Sequence, residues 1–171
     1  LDSAKYKDVY AYLYKIRNNI LNSGMVKHKN DFAWRLRIIH NDSTLNAFCT
    51  PGGYIYVYTG IMKYLDNEAQ LAGVLGHEIA HIEKNHVMKK LSKELGYSVL
   101  LTAAGGSKGG ALAREILKAL TSSAYDRTLE KEADITSVDY MINAKINPEN
   151  LANFLYKLSD LYPDFATSKY I

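Results

Sequence analysis

Leu71-Ala72-Gly73-Val74-Leu75-Gly76-His77-Glu78-Ile79-Ala80-His81-Ile82 sets two histidines four residues apart, with a glutamate directly after the first. Leu71, Val74, Leu75 and Ile82 recur at helical spacing, the signature of a helix with an apolar face. Asn67, with Gln70 three residues on, supplies a capping-box start. The pattern predicts one helix running from there to about residue 95. Residues four apart on a helix share a face, one turn apart, so both imidazoles can reach a single ion. Glu78 is about 100° round from His77, near enough to touch a metal-bound water and too far round to be a ligand. Zinc accepts two histidine nitrogens and a carboxylate oxygen and keeps a fourth position for water, whose pKa it brings towards ~7. Five histidines and eight glutamates in 171 residues produce this pattern by chance roughly 0.7% of the time. The competing reading is a helix with two ordinary surface histidines. The apolar neighbours argue against it, because they put the histidine face inside, where an unpartnered imidazole is costly.

A third ligand has to come from elsewhere in the chain, and Glu83, Glu94, Glu115, Glu130, Glu132, several aspartates and His86 are available. Glu130 stands out because Asp134 lies four residues on, so both point the same way from a helix. Glu130 can ligate, and Asp134 can accept a hydrogen bond from the far nitrogen of a ligand imidazole. Glu132 is about 200° from Glu130 and is expected to face solvent. Along an uninterrupted helix His86 is about 140° from His81, off the ligand face, which predicts a capping or packing role. Arg127, one turn before Glu130, either braces the site or is a surface charge at a helix start.

Outward from this centre the chain reads as follows. Tyr6, Val9, Leu13, Ile16 and Ile20 predict a first helix that stops near Asn22-Ser23-Gly24. Strands are expected over 33–40, 45–50 and 54–58, the last alternating tyrosine with Ile55 and Val57. Further helices are expected up to about 104, over 111–120 and over 127–143, and a last one opens at Asn147-Pro148. Gly105-Gly106-Ser107-Lys108-Gly109-Gly110 is a connector by composition and lacks the ending of a phosphate loop. Lys84, Lys89, Lys90 and Lys93 read as a solvated basic helix end, and His28 and His40 as solvated.

Composition narrows the class. A net charge of +3 gives no argument for nucleic acid. The single Cys49 excludes an internal disulfide and a cysteine-rich zinc knuckle. No apolar run reaches the ~18 residues of a spanning helix. The first residues, Leu1-Asp2-Ser3-Ala4-Lys5-Tyr6, show no apolar signal segment. Tyrosine is in excess, 14 against 4 phenylalanines and 1 tryptophan, which suits half-wet surfaces.

Several stretches carry a family resemblance. Asn46-Ala47-Phe48 through Pro51-Gly52-Gly53 to Gly60, the helix around His77-Glu78-Ile79-Ala80-His81 with His86 beyond, and Arg127 through Glu130-Lys131-Glu132-Ala133-Asp134 together resemble the zinc metallopeptidases of the HtpX and CAAX prenyl protease type, most closely their soluble BepA-like branch. The resemblance spans roughly residues 1–162. It implies one zinc ion held by His77, His81 and Glu130, with Glu78 as catalytic base; Asp134 orienting a ligand histidine is the expectation from helix spacing. It further implies an α+β, mostly helical gluzincin-like fold with a small β-sheet beside the active-site helix. Relatives continue into a His-Pro segment followed by an arginine. This sequence ends at Tyr170-Ile171 without one, so a single metallopeptidase domain over 1–171, truncated at its C-terminus, is expected, and no oxyanion stabiliser is assigned.

These readings converge on a zinc-dependent endopeptidase that hydrolyses protein or peptide substrates by attack of zinc-bound water, with no nucleic-acid partner. Unfolded or misassembled envelope proteins are the expected substrates. Membrane association is expected only through regions outside this sequence. By resemblance alone the expected location is the periplasm or cell envelope. The resemblance also sets Tyr54, Tyr56 and Tyr58 near the active-site helix, as a strand on which substrate could pair, against the alternative of cross-strand packing. The rival class is a zinc-containing, chaperone-like binding module with suppressed proteolysis.

Overall fold

The computed structural model describes residues 1–104, 109–147 and 149. The first helix, α1 (Lys7–Leu21), buries Tyr10, Leu13, Ile16, Ile20 and Leu21 along one face. In β1 (Arg35–Ile39), Leu36 and Ile38 point inward while Arg35 and Arg37 are exposed, the alternation of a half-buried strand. β2 (Ala47–Thr50) and β3 (Tyr54–Tyr58) follow, joined by a tight turn. There Gly53 has φ +86°, and an added Cβ would lie 2.7 Å from the Cβ of Phe32, so only glycine fits.

The three strands run in the order β1-β3-β2. β1 lies parallel to β3 from Arg35 opposite Tyr54 to Ile39 opposite Tyr58. β2 lies antiparallel to β3, with Ala47 opposite Val57 and Thr50 opposite Tyr54. This corrects the substrate-strand expectation for Tyr54, Tyr56 and Tyr58. β3 is the central strand and both of its backbone edges are taken by neighbouring strands, so it cannot accept a third. The tyrosines line its half-buried face, and the Tyr56 ring stacks on Phe48 of β2 with centroids 4.9 Å apart.

A short helix that periodicity did not suggest, α2 (Thr59–Tyr64), leaves β3 directly. α3 (Glu68–Glu83) then carries the motif. Asn67 Oδ1 accepts from the Gln70 amide at 2.9 Å, while Gln70 Oε1 reaches the Asp66 amide at 2.7 Å, a capping box displaced by one residue. Every residue over 70–82 is buried, as expected of a helix surrounded on all sides.

The single long helix expected to residue 95 is in fact two. α3 ends at Glu83, Asn85 takes the left-handed conformation at φ 60°, and α4 (His86–Leu95) begins at once. Asparagine is one of the few residues that adopts this conformation readily, and it changes the helix direction. The Glu83 carboxylate accepts from the amides of Lys27 at 2.7 Å and His28 at 3.0 Å, holding the loop after α1 against this end.

α5 (Tyr97–Ala104), α6 (Gly109–Ser122) and α7 (Arg127–Asn143) complete the described chain. α7 has the expected bounds. Asp126 caps it by accepting from the amides of Thr128 and Leu129, each at 3.1 Å. α7 packs along α3. At Gly76 the two helices leave no room for a side chain: a Cβ there would lie 2.9 Å from Ser137 Oγ, and that hydroxyl donates to the Gly73 carbonyl at 3.2 Å. The helix expected from Asn147-Pro148 and most of the glycine-rich connector lie outside the described residues. The architecture is the mostly helical α+β arrangement expected, with a small sheet packed on α3. Among the described residues no helix is long and apolar enough to cross a membrane.

Candidate metal centre

His77 and His81 project from α3 towards Glu130 in the first turn of α7. The two Nε2 atoms are 2.9 Å apart. Glu130 Oε2 lies 3.1 Å from His77 Nε2 and 3.6 Å from His81 Nε2. Zinc–ligand bonds of ~2.0–2.1 Å give a tetrahedral edge of about 3.4 Å, and the three separations bracket it. All three residues are buried, and they form a group whose ligand atoms could hold a metal ion. Two imidazoles with one carboxylate is a donor set that zinc takes in hydrolytic sites, so the residues present fit the ion that the sequence suggested. Glu78, also fully buried, follows His77 on the same helix.

The surroundings orient these groups. His77 Nδ1 lies 2.8 Å from Asp134 Oδ1. A carboxylate accepts, so Nδ1 carries a proton and Nε2 is the nitrogen turned inward to serve as the ligand. Glu130 Oε1 accepts from the Tyr125 amide at 3.2 Å, which aims Oε2 at the histidines. Burial disfavours the charged form of His77. Its hydrogen bonds to Asp134 and Glu130 and the nearby Glu78 charge outweigh that, and its pKa is pushed up to about 9. These carboxylates thus favour the protonated ring, which has to give up a proton to ligate.

Residues 10–169 match the profile described as Peptidase family M48. The chain belongs to this family. Among similar proteins is the beta-barrel assembly-enhancing protease of Yersinia pestis, 29% identical over 157 residues that make up 83% of this chain and 32% of that protein. The mitochondrial metalloendopeptidase OMA1 of Schizosaccharomyces pombe is 32% identical over 158 residues, 91% of this chain and 45% of that protein. The metalloprotease LoiP of Escherichia coli is 35% identical over 124 residues, 68% of this chain and 48% of that protein. This M48 domain spans between about a third and a half of the length of these relatives. It is a metallopeptidase domain of the BepA-like branch.

Two expectations about the M48 domain need correcting. His86, expected off the ligand face, is fully buried with its Nδ1 2.9 Å from His81 Nδ1. The turn at Asn85 resets the helical phase, so an angle counted along one continuous helix does not apply. Glu132, expected in solvent, remains partly exposed but reaches His86 Nε2 at 3.0 Å and Lys84 at 3.8 Å. Burial holds the His86 pKa below its ordinary value despite Glu132, while the hydrogen bond to His86 lowers that of Glu132.

Tyr125 was not singled out from the sequence. Its ring stacks on His81 with centroids 3.9 Å apart and planes 14° from parallel. Its hydroxyl lies 3.7 Å from Cys49 Sγ on β2, and burial pushes its pKa far upward. Lys90 stands over the opposite part of this environment, 4.8 Å from the Tyr125 centroid. It is buried and donates to the Ser123 carbonyl, which corrects its place on a solvated basic face. An aromatic residue just before a capping aspartate is the only sequence cue to Tyr125. Arg127 is exposed, in keeping with the surface-charge alternative, and so are His28 and His40.

Proposed function

We propose that this domain is a zinc-dependent endopeptidase in which His77, His81 and Glu130 hold one zinc ion and Glu78 is the general base. The observation that carries this reading is the convergence of two imidazole nitrogens and a carboxylate oxygen within 3.6 Å of one another, with a buried glutamate on the adjoining helical position. At such a site zinc supplies Lewis acidity, polarising the scissile carbonyl and lowering the pKa of water towards ~7. Glu78 takes a proton from the attacking water and delivers it to the departing amine nitrogen. Asp134 holds the His77 ring in the ligating tautomer. Tyr125 keeps the Glu130 carboxylate turned inward through its backbone amide.

From the likeness to relatives named beta-barrel assembly-enhancing proteases we also propose a place in the cell envelope, with unfolded or misassembled envelope proteins as the substrates to test. The test is cleavage of a permanently unfolded, carboxymethylated protein by the zinc-loaded full chain. Glu78→Gln should retain stoichiometric zinc and lose cleavage by ~10²-fold or more. Cleavage that survives this substitution would overturn the assignment of the base. His77→Ala should abolish zinc uptake.

A further inference from the structure

His81 and His86 meet nitrogen to nitrogen, with the two Nδ1 atoms 2.9 Å apart. On the far side of His86, Nε2 lies 3.0 Å from Glu132 Oε2. A carboxylate only accepts, so the proton of that contact sits on His86 Nε2. With that N–H on Nε2, the imidazole presents Nδ1 as an acceptor, and the 2.9 Å contact between the two Nδ1 atoms needs one proton. His81 Nδ1 must then donate. That leaves the lone pair of His81 on Nε2, the atom that faces His77 Nε2 and Glu130 Oε2.

From this chain of donors and acceptors we infer that His86 and Glu132 are a positioning pair that fixes the tautomer and ring orientation of His81 for metal ligation. The inference rests on the metal-site reading proposed above. The pair does for His81 what Asp134 does for His77, but through an intervening imidazole. The geometry depends on the Asn85 turn, because His86 is the first residue of α4 and faces back along α3 only when the helix is interrupted there. Packing alone does not require this arrangement: an apolar side chain could fill the space behind His81, but only an acceptor can hold its Nδ1 proton.

The test compares zinc affinity, by competition with a chromophoric chelator, in the full-length chain and four variants. His86→Leu fills the space without an acceptor and should weaken zinc binding about 10–100-fold. His86→Asn places an amide oxygen near the lost nitrogen and should restore most of that affinity. Glu132→Ala should weaken binding in the same direction as His86→Leu. With cobalt in place of zinc, the visible absorption bands should shift in the Leu variant and return in the Asn variant. Melting of the metal-free proteins provides the control. Similar melting of the Leu and Asn variants with unequal zinc affinity supports the pair, whereas affinity that only tracks melting overturns it. Equal zinc affinity in the Leu variant and the parent also overturns it, provided the parent binds zinc. If the parent takes up no zinc, or His77→Ala leaves uptake unchanged, the metal-site reading itself fails and this inference goes with it.

Discussion

Asp134 Oδ1 and His77 Nδ1 are 2.8 Å apart, joining the middle of α3 to the second turn of α7. Asp134→Ala removes the acceptor that holds the ring in one tautomer. The expected result is a 10–100-fold weaker affinity for zinc. Chelator competition measures it, and unchanged affinity would show that the contact is incidental.

Zinc uptake should depend on pH through His77. With its pKa at about 9, the ring is protonated in the metal-free protein below that value and must lose a proton to ligate. Apparent affinity should therefore rise about tenfold per pH unit between roughly 7 and 9 and level off above. Stability of the metal-free protein should move the other way. The folded pKa of about 9 exceeds the unfolded value of about 6.5, so the stabilisation is fully present below about 6.5 and is lost as pH rises through about 9. Melting temperatures of chelator-treated protein at pH 6 and pH 9.5 would check this, and a higher value at pH 9.5 would contradict it.

Tyr125→Ala and Tyr125→Phe should separate stacking from hydroxyl contact. The first deletes the ring that lies flat on His81 and should cost about 3 kcal/mol of stability, as for other buried aromatic truncations. The second keeps the stack and loses only the 3.7 Å contact to Cys49, so a loss of under about 1 kcal/mol is expected. Denaturant midpoints of the two variants would decide, and equal losses would place the effect in the hydroxyl.

Gly76→Ala should spread α3 from α7. The new methyl meets Ser137 Oγ at 2.9 Å, and overpacking of this kind costs about 1–3 kcal/mol, enough to outweigh the ~1 kcal/mol helix-propensity gain at most such sites. The partner change Ser137→Ala removes the clashing oxygen and should recover most of the loss. A double-mutant cycle on unfolding free energy measures the coupling, and additive losses would argue against a clash.

The parts of the site that could be read from the sequence lie within single regular elements. His77 with His81 and Glu130 with Asp134 each sit four residues apart inside one helix, where spacing converts directly into direction. His86 and Glu132 were misplaced because the conversion was carried across Asn85, where the backbone leaves the helical region. Periodicity does not register a one-residue turn between two apolar helices. Tyr125 and Lys90 meet the site through packing between distant segments, which local pattern does not encode. The same applies to β3. Its residues and alternation were legible, but its central place depends on which strands pair with it, a non-local choice.

α3 is enclosed over 70–82, so the helix that carries the two histidines is also the one around which the interior is assembled. Chemical competence and cohesion of the domain share one spine. Disorder in α3 would therefore take the ligand geometry with it. Heat inactivation, loss of bound metal and collapse of tertiary order should thus fall at one temperature.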